Sequence, residues 1–202
     1  VMELKNKDYF FCRYLRTVFT GEFKYNFDLT TTYDSFQIGK EDVFSLINHE
    51  LPFNSCAVMW RKNCFNENRF VEHLMYAEEW ELYSRILSSG VVGISINKIL
   101  FFGRKHPNSN TGEFYSHNPI RKKSNNDAIL LVIANLKDKD LLTHSILRYF
   151  IQKALDYKEY QLFSSLLQIA KLSVFEKFKW QLFYSFLPVR LYLYSLKKKL
   201  FS

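Results

Sequence analysis

The chain has 202 residues, 48% of them hydrophobic and 18% aromatic, with 20 Phe and 13 Tyr against 6 Gly and 4 Pro. That is long enough for one domain with a helical appendage, and the composition excludes a disordered or collagen-like chain. The net charge of +8 and pI of about 9.3 raise nucleic acid as a partner, yet no zinc-finger spacing, RNP-like aromatic motif or Gly-rich RNA loop accompanies the cations, so no nucleic-acid partner is expected.

The cations gather in Arg121-Lys122-Lys123 and again from Lys171 onward, a distribution that suits an anionic membrane surface better. Cys12, Cys56 and Cys64 lack metal-type spacing, and their odd number fits a reducing compartment. No secretory leader pattern opens the chain. The longest apolar tract, Trp180 to Leu196, is interrupted by Pro188 and Arg190 and falls short of the ~20 residues of a spanning helix. The expected location is cytoplasmic, peripheral at the inner face of the cell membrane.

Taken in chain order, Tyr9-Phe10-Phe11 and Tyr14-Leu15 suit helix or strand, and Phe23 to Thr32 reads as extended. Glu41 to Ile47 reads as a short helix with acids in its first turn, where the helix dipole favours them. Cys56 to Trp60 is a short strand, and Ala77 to Leu87 an amphipathic helix. Val91 to Phe102 is β-branched, and Asn97-Lys98 at its middle splits it into two expected strands. Asn108 to Asn118, rich in Ser, Asn, Gly and Pro, is expected to be a loop.

From Asn126 the pattern turns helical. Leu141 to Leu155 and Tyr160 to Ala170 each carry one broad apolar face, and Ser173-Val174-Phe175-Glu176 is a capping box that starts another helix. Beyond it, Phe175, Phe178, Leu182, Phe186, Val189 and Leu193 recur at three- and four-residue steps beside Lys177, Lys179, Arg190 and Lys197 to Lys199. Such a stripe either lies in a membrane interface, broken at Pro188, or packs on the preceding helices.

Two polar clusters stand outside the apolar periodicity: Glu78-Glu79-Trp80-Glu81-Leu82 at a helix start, and Arg104-Lys105-His106 after a strand. The order is strand, Arg61-Lys62, Phe70-Val71-Glu72, Glu78-Glu79-Trp80, Arg85, Gly90, then Arg104-Lys105-His106-Pro107-Asn108-Ser109. It resembles the acceptor-side half of the bacterial family-2 glycosyltransferases with the GT-A fold, matching well over residues 54 to 111 and loosely before. The resemblance implies a partial GT-A-like mixed α/β sheet with flanking helices over residues 1–117, followed by an α-helical extension over 118–202 with a basic amphipathic end.

Glu78-Glu79 stands where that family has Glu-Asp, Phe70-Val71-Glu72 replaces a Phe-Asp-Glu turn, and Gly103 replaces an aromatic residue. The nucleotide-binding half with its metal-binding Asp-X-Asp has no counterpart; Asp138-x-Asp140 sits in a helix-linker context. A fragment of a longer protein is therefore expected, inactive alone, and a first residue of Val agrees with that.

The resemblance implies an inverting transferase that moves a sugar from a nucleotide-sugar donor to a saccharide or lipid-linked acceptor in cell-surface polysaccharide synthesis. The full-length enzyme would use Mg or Mn. Glu79 takes the place of the general base, which must reach the acceptor hydroxyl; on the residues alone the favoured reading is that Glu78 and Glu79 complement the helix dipole, and the motif context reverses it. Glu78 would orient the loop or bind acceptor hydroxyls, and Trp80 would stack on a sugar ring or simply be buried. His106 would be a metal ligand or diphosphate contact, Arg104 and Lys105 would offset phosphate charge, and Arg61 is a weaker donor or acceptor contact. Arg85 is expected to pair with Glu81 on the surface. A rival from another class is a non-enzymatic helical interaction module.

Overall fold

The computed structural model describes residues 8–24, 31–105, 109–170, 172–189 and 192–193. They form two compact units divided between Leu142 and Thr143. The first unit is mixed α/β. In chain order it contains β1 (Phe11–Phe19), β2 (Ser35–Ile38), α1 (Val43–Ile47), β3 (Val58–Trp60), α2 (Glu78–Ser88), β4 (Gly93–Arg104), α3 (Asn110–Tyr115) and α4 (Pro119–Asp138). Short 3-10 turns at Lys40–Asp42 and Ser55–Ala57 lead into α1 and β3.

The four strands make a mixed sheet in the order β2-β4-β1-β3. The ambiguous region resolves as strand from Phe11 onward, with Tyr9 and Phe10 ahead of it: β1 is central, parallel to β4 and antiparallel to β3. Val91 to Phe102 is one strand rather than two. Tyr14 pairs with Ile96, Leu15 with Ile99 and Arg16 with Phe101, so Asn97-Lys98 and Leu100 are absorbed as bulges. A bulge takes in turn-prone residues by bending the strand without ending it. Gly93 opens the strand, and a side chain at that position would meet the Phe11 ring at 2.5 Å.

Phe11 is fully buried and packs on Trp60 and Phe53, with ring centroids 4.7 and 5.5 Å away. Tyr83 of α2 closes this cluster 5.1 Å from Trp60, so one aromatic group ties the sheet to the helix. On α2, Leu82, Tyr83, Ile86 and Leu87 are buried at the helical repeat, and α4 answers with Ala128, Ile129, Val132, Ile133 and Leu136. Burying a side chain of this size contributes roughly 1.5–3 kcal/mol, so this helix pair accounts for much of the unit's core. The helix expected to open the C-terminal extension thus belongs with the α/β unit.

The Arg85–Glu81 pair is not on the surface. Glu81 is 2% exposed, and Arg85 grips it through Nε at 2.8 Å and Nη2 at 3.0 Å while also donating to the Arg69 carbonyl at 2.8 Å. The far end of α2 is closed by α4. Lys139 Nζ donates to the Arg85 carbonyl at 3.1 Å and to Ser88 Oγ at 2.9 Å, a cation at the negative helix end. Burial holds its ammonium below the usual lysine range. Asn108 to Asn118 also departs from the loop expectation, because α3 forms there with the Ser109 side chain accepting from Gly112 N–H at its start.

The second unit holds α5 (His144–Asp156), α6 (Tyr160–Ile169) and α7 (Val174–Ser185). Thr143 caps α5 by accepting from Ile146 N–H. The capping box at Ser173 and Glu176 is present, and the hydrogen bonds from Ser173 hold the Glu176 carboxyl below the usual carboxylate range. Ile146, Phe150, Ile151 and Leu155 of α5 are buried, as are Leu162, Phe163 and Leu166 of α6; no residue of α7 is. Among the described residues no helix is long and apolar enough to cross a membrane.

Candidate functional site

Glu78 and Glu79 open α2, where free backbone N–H groups and the helix dipole favour carboxylate charge. The preceding turn holds them in place by an unusual route. Ala77 is the N-cap at φ 64°, left-handed backbone that costs an L-residue about 1–2 kcal/mol and persists only where neighbours impose it. Those neighbours come from α3 and α4. Ser124 Oγ accepts from both Met75 N–H and Tyr76 N–H at 2.8 Å and donates to the Tyr76 carbonyl at 2.7 Å.

Arg121 reaches the same turn from the first residues of α4. It donates to the Met75 carbonyl, to Glu113 Oε2 at 2.8 Å and to Asn110 Oδ1 at 3.0 Å. The Tyr76 ring stacks on Phe114 at 4.6 Å, nearly parallel. The start of α2 is thus set by contacts far downstream in the chain, from α3 and α4.

Glu79 is tied to the 3-10 turn Ser55–Ala57. Its Oε2 accepts from Ser55 N–H at 3.1 Å, joining α2 to the 3-10 turn before β3. That turn is in turn anchored to β1: the Tyr14 hydroxyl donates to the Cys56 carbonyl at 3.0 Å, and Arg16 Nη1 donates to Asn54 Oδ1 at 3.2 Å. A carboxylate has two oxygens and about four lone-pair sites, so one backbone bond fixes its position without exhausting its capacity to accept from a hydroxyl. One turn along α2, the Tyr83 phenol is pushed up to about 12, first by burial and then by the charge of Glu79. Trp80 is half-buried, with the His49 ring 6.3 Å from it.

The basic candidates lie elsewhere. Arg61 follows β3 at the Phe11 end of the sheet, where its N–H donates to the Phe10 carbonyl. Arg104 ends β4 opposite Phe19, at the other end of β1. Eight strand residues separate the two, roughly 25 Å at the usual rise. The Arg104 guanidinium lies over the Phe19 ring at 4.8 Å and donates to the Gly21 carbonyl, which fastens the strand end. His106 lies outside the described residues. Among those residues no group of three or more His, Cys, Asp or Glu gathers in a way that could hold a metal ion.

The structure therefore groups Glu78, Glu79 and Trp80 with Asn54, Ser55, Arg16 and His49, and leaves Arg61 and Arg104 apart. Ser55, Ser124 and Arg121 were not among the residues singled out in the sequence, since isolated serines in polar stretches carry no local signal. Arg121 was legible only as part of a basic run. Compared with known protein-family models, with curated proteins and with solved structures, the chain matches none.

Proposed function

We propose that this chain is the acceptor side of an inverting, GT-A-like glycosyltransferase, with Glu79 as the general base. The reading rests on the ordered motif series in residues 54–111, and one observation of the structure carries it furthest. The second acid of the helix-start pair accepts a backbone N–H from the 3-10 turn before β3, which supports the fixed position a general base requires. In the reaction, Glu79 would take the proton of an acceptor hydroxyl as that oxygen attacks the anomeric carbon of a nucleotide-sugar, and the nucleoside diphosphate would leave from the opposite face, inverting the centre. Glu78 and Trp80 would meet the acceptor, a saccharide free or carried on a lipid. The donor-side half and its Mg or Mn carboxylates have no counterpart in the 202 residues, so turnover by this chain alone is not expected.

Glu79→Gln separates catalysis from scaffolding, because the amide oxygen still accepts from Ser55 N–H while the basic oxygen is lost. In the protein that also carries a donor half, this variant is expected to lower kcat by a factor on the order of 10² or more with donor KM unchanged. A larger effect of Glu78→Gln would exchange the two roles, and full activity of both variants would overturn the reading.

A further inference from the structure

Helix α7 has two apolar faces. On one, Trp180, Phe183 and Tyr184 are half-buried, and the Tyr184 ring stacks on Phe163 at 5.2 Å and meets Tyr160 edge-on at 4.9 Å, both from α6. The other carries Phe175, Phe178 and Leu182, continued past the helix end by Phe186 and Val189 at three- and four-residue steps. These five side chains are 76%, 55%, 41%, 56% and 52% exposed. Of the two fates the sequence leaves open for this stripe, packing on the preceding helices belongs to the opposite face.

A row of three phenylalanines left to water marks an interaction surface rather than scatter, and its charge surroundings select the partner. From Lys171 to the end there are seven Lys or Arg and one acid, Glu176, whose carboxylate is engaged by Ser173 in the capping box. Lys179 is exposed beside the stripe. A second copy of the chain would set this cationic end against its own like charge, since a two-fold contact pairs identical patches. An anionic bilayer offers both requirements at once, an apolar boundary for the phenyl groups and negative headgroups for the lysines.

We propose that α7 is an interfacial helix that docks this protein on an anionic lipid surface through the Phe175, Phe178, Leu182, Phe186 and Val189 face. The docking stands independently of the activity proposed above. It is tested on the full chain by flotation with vesicles of phosphatidylcholine alone and of phosphatidylcholine with phosphatidylglycerol. Binding at least tenfold tighter to the anionic vesicles is expected, weakening as salt rises. The double variant Phe178→Asp with Leu182→Asp should lose at least tenfold in binding while its Tm is unchanged, and Lys177→Gln with Lys179→Gln should weaken binding several-fold at low salt. Absent binding, equal binding to both vesicles, or undiminished binding by the stripe variant would overturn the proposal. A lowered Tm in the stripe variant would overturn it in favour of core packing, and a dimer abolished by that variant would overturn it in favour of self-association.

Discussion

Three side chains set the geometry of the helix that carries the candidate base. Ser124 satisfies two backbone donors and one acceptor of the Met75–Tyr76 turn with a single hydroxyl. Ser124→Ala leaves those groups in a part-buried place without their partner, and a loss of roughly 2–3 kcal/mol in denaturant unfolding is expected. Arg85 and Glu81 couple α2 to the Arg69 carbonyl. Arg85→Met strands a carboxylate that is 2% exposed, and a cost of about 3 kcal/mol or more follows, whereas an apolar replacement of both partners should cost far less. The same unfolding measurements check this contrast.

Tyr83 makes stability depend on alkaline pH. Its folded phenol loses its proton at about 12, above the ordinary 10, so the folded state keeps a proton that the unfolded chain gives up. Its contribution is complete below pH 10 and is lost as pH rises toward 12, by up to roughly 2 kcal/mol. Unfolding of wild type and Tyr83→Phe at pH 9 and pH 11 should show a smaller alkaline loss in the variant. Tyr149, also pushed up to about 12, leaves a remaining loss in the second unit.

At the scale of elements, α2 was legible almost to the residue because Leu82, Ile86 and Leu87 follow the helical repeat behind a run of acids. The capping box of α7 was legible because its two residues sit three apart and bond to each other and the local backbone, a pattern that sequence spacing alone reveals. β4 was read as two strands because turn-prone Asn97-Lys98 carries a local signal, while the bulge that absorbs it is dictated by pairing with β1, far away in sequence. The start of α4 was missed for the opposite reason. Ile120 to Asn126 is nearly all polar and shows no apolar periodicity, although Asn118-Pro119 is a helix-start signal, with the Asn118 side chain accepting from Ile120 and Arg121 N–H. The burial of Glu81 was invisible because the Arg69 segment that covers the pair is placed by tertiary structure.

At the scale of the molecule, the α/β unit joins the candidate site to one core: the helix that buries Leu82, Ile86 and Leu87 presents Glu78, Glu79 and Trp80 at its start. The Glu79 position depends on β1 through Asn54 and Cys56 and on α4 through Ser124, so the site could not be assembled from residues 54–111 alone. That is why the motif order in the sequence singles out the carboxylates without what holds them in place, and why it brings together Arg61 and Arg104, which lie at opposite sheet ends. The most direct test of the acceptor-side reading is chemical-shift mapping on this chain with methyl glycosides of common hexoses and N-acetylhexosamines. The reading predicts saturable shifts centred on Ser55, Glu79 and Trp80 that weaken at least tenfold in Trp80→Ala. Shifts centred elsewhere, or none with any glycoside, would contradict it.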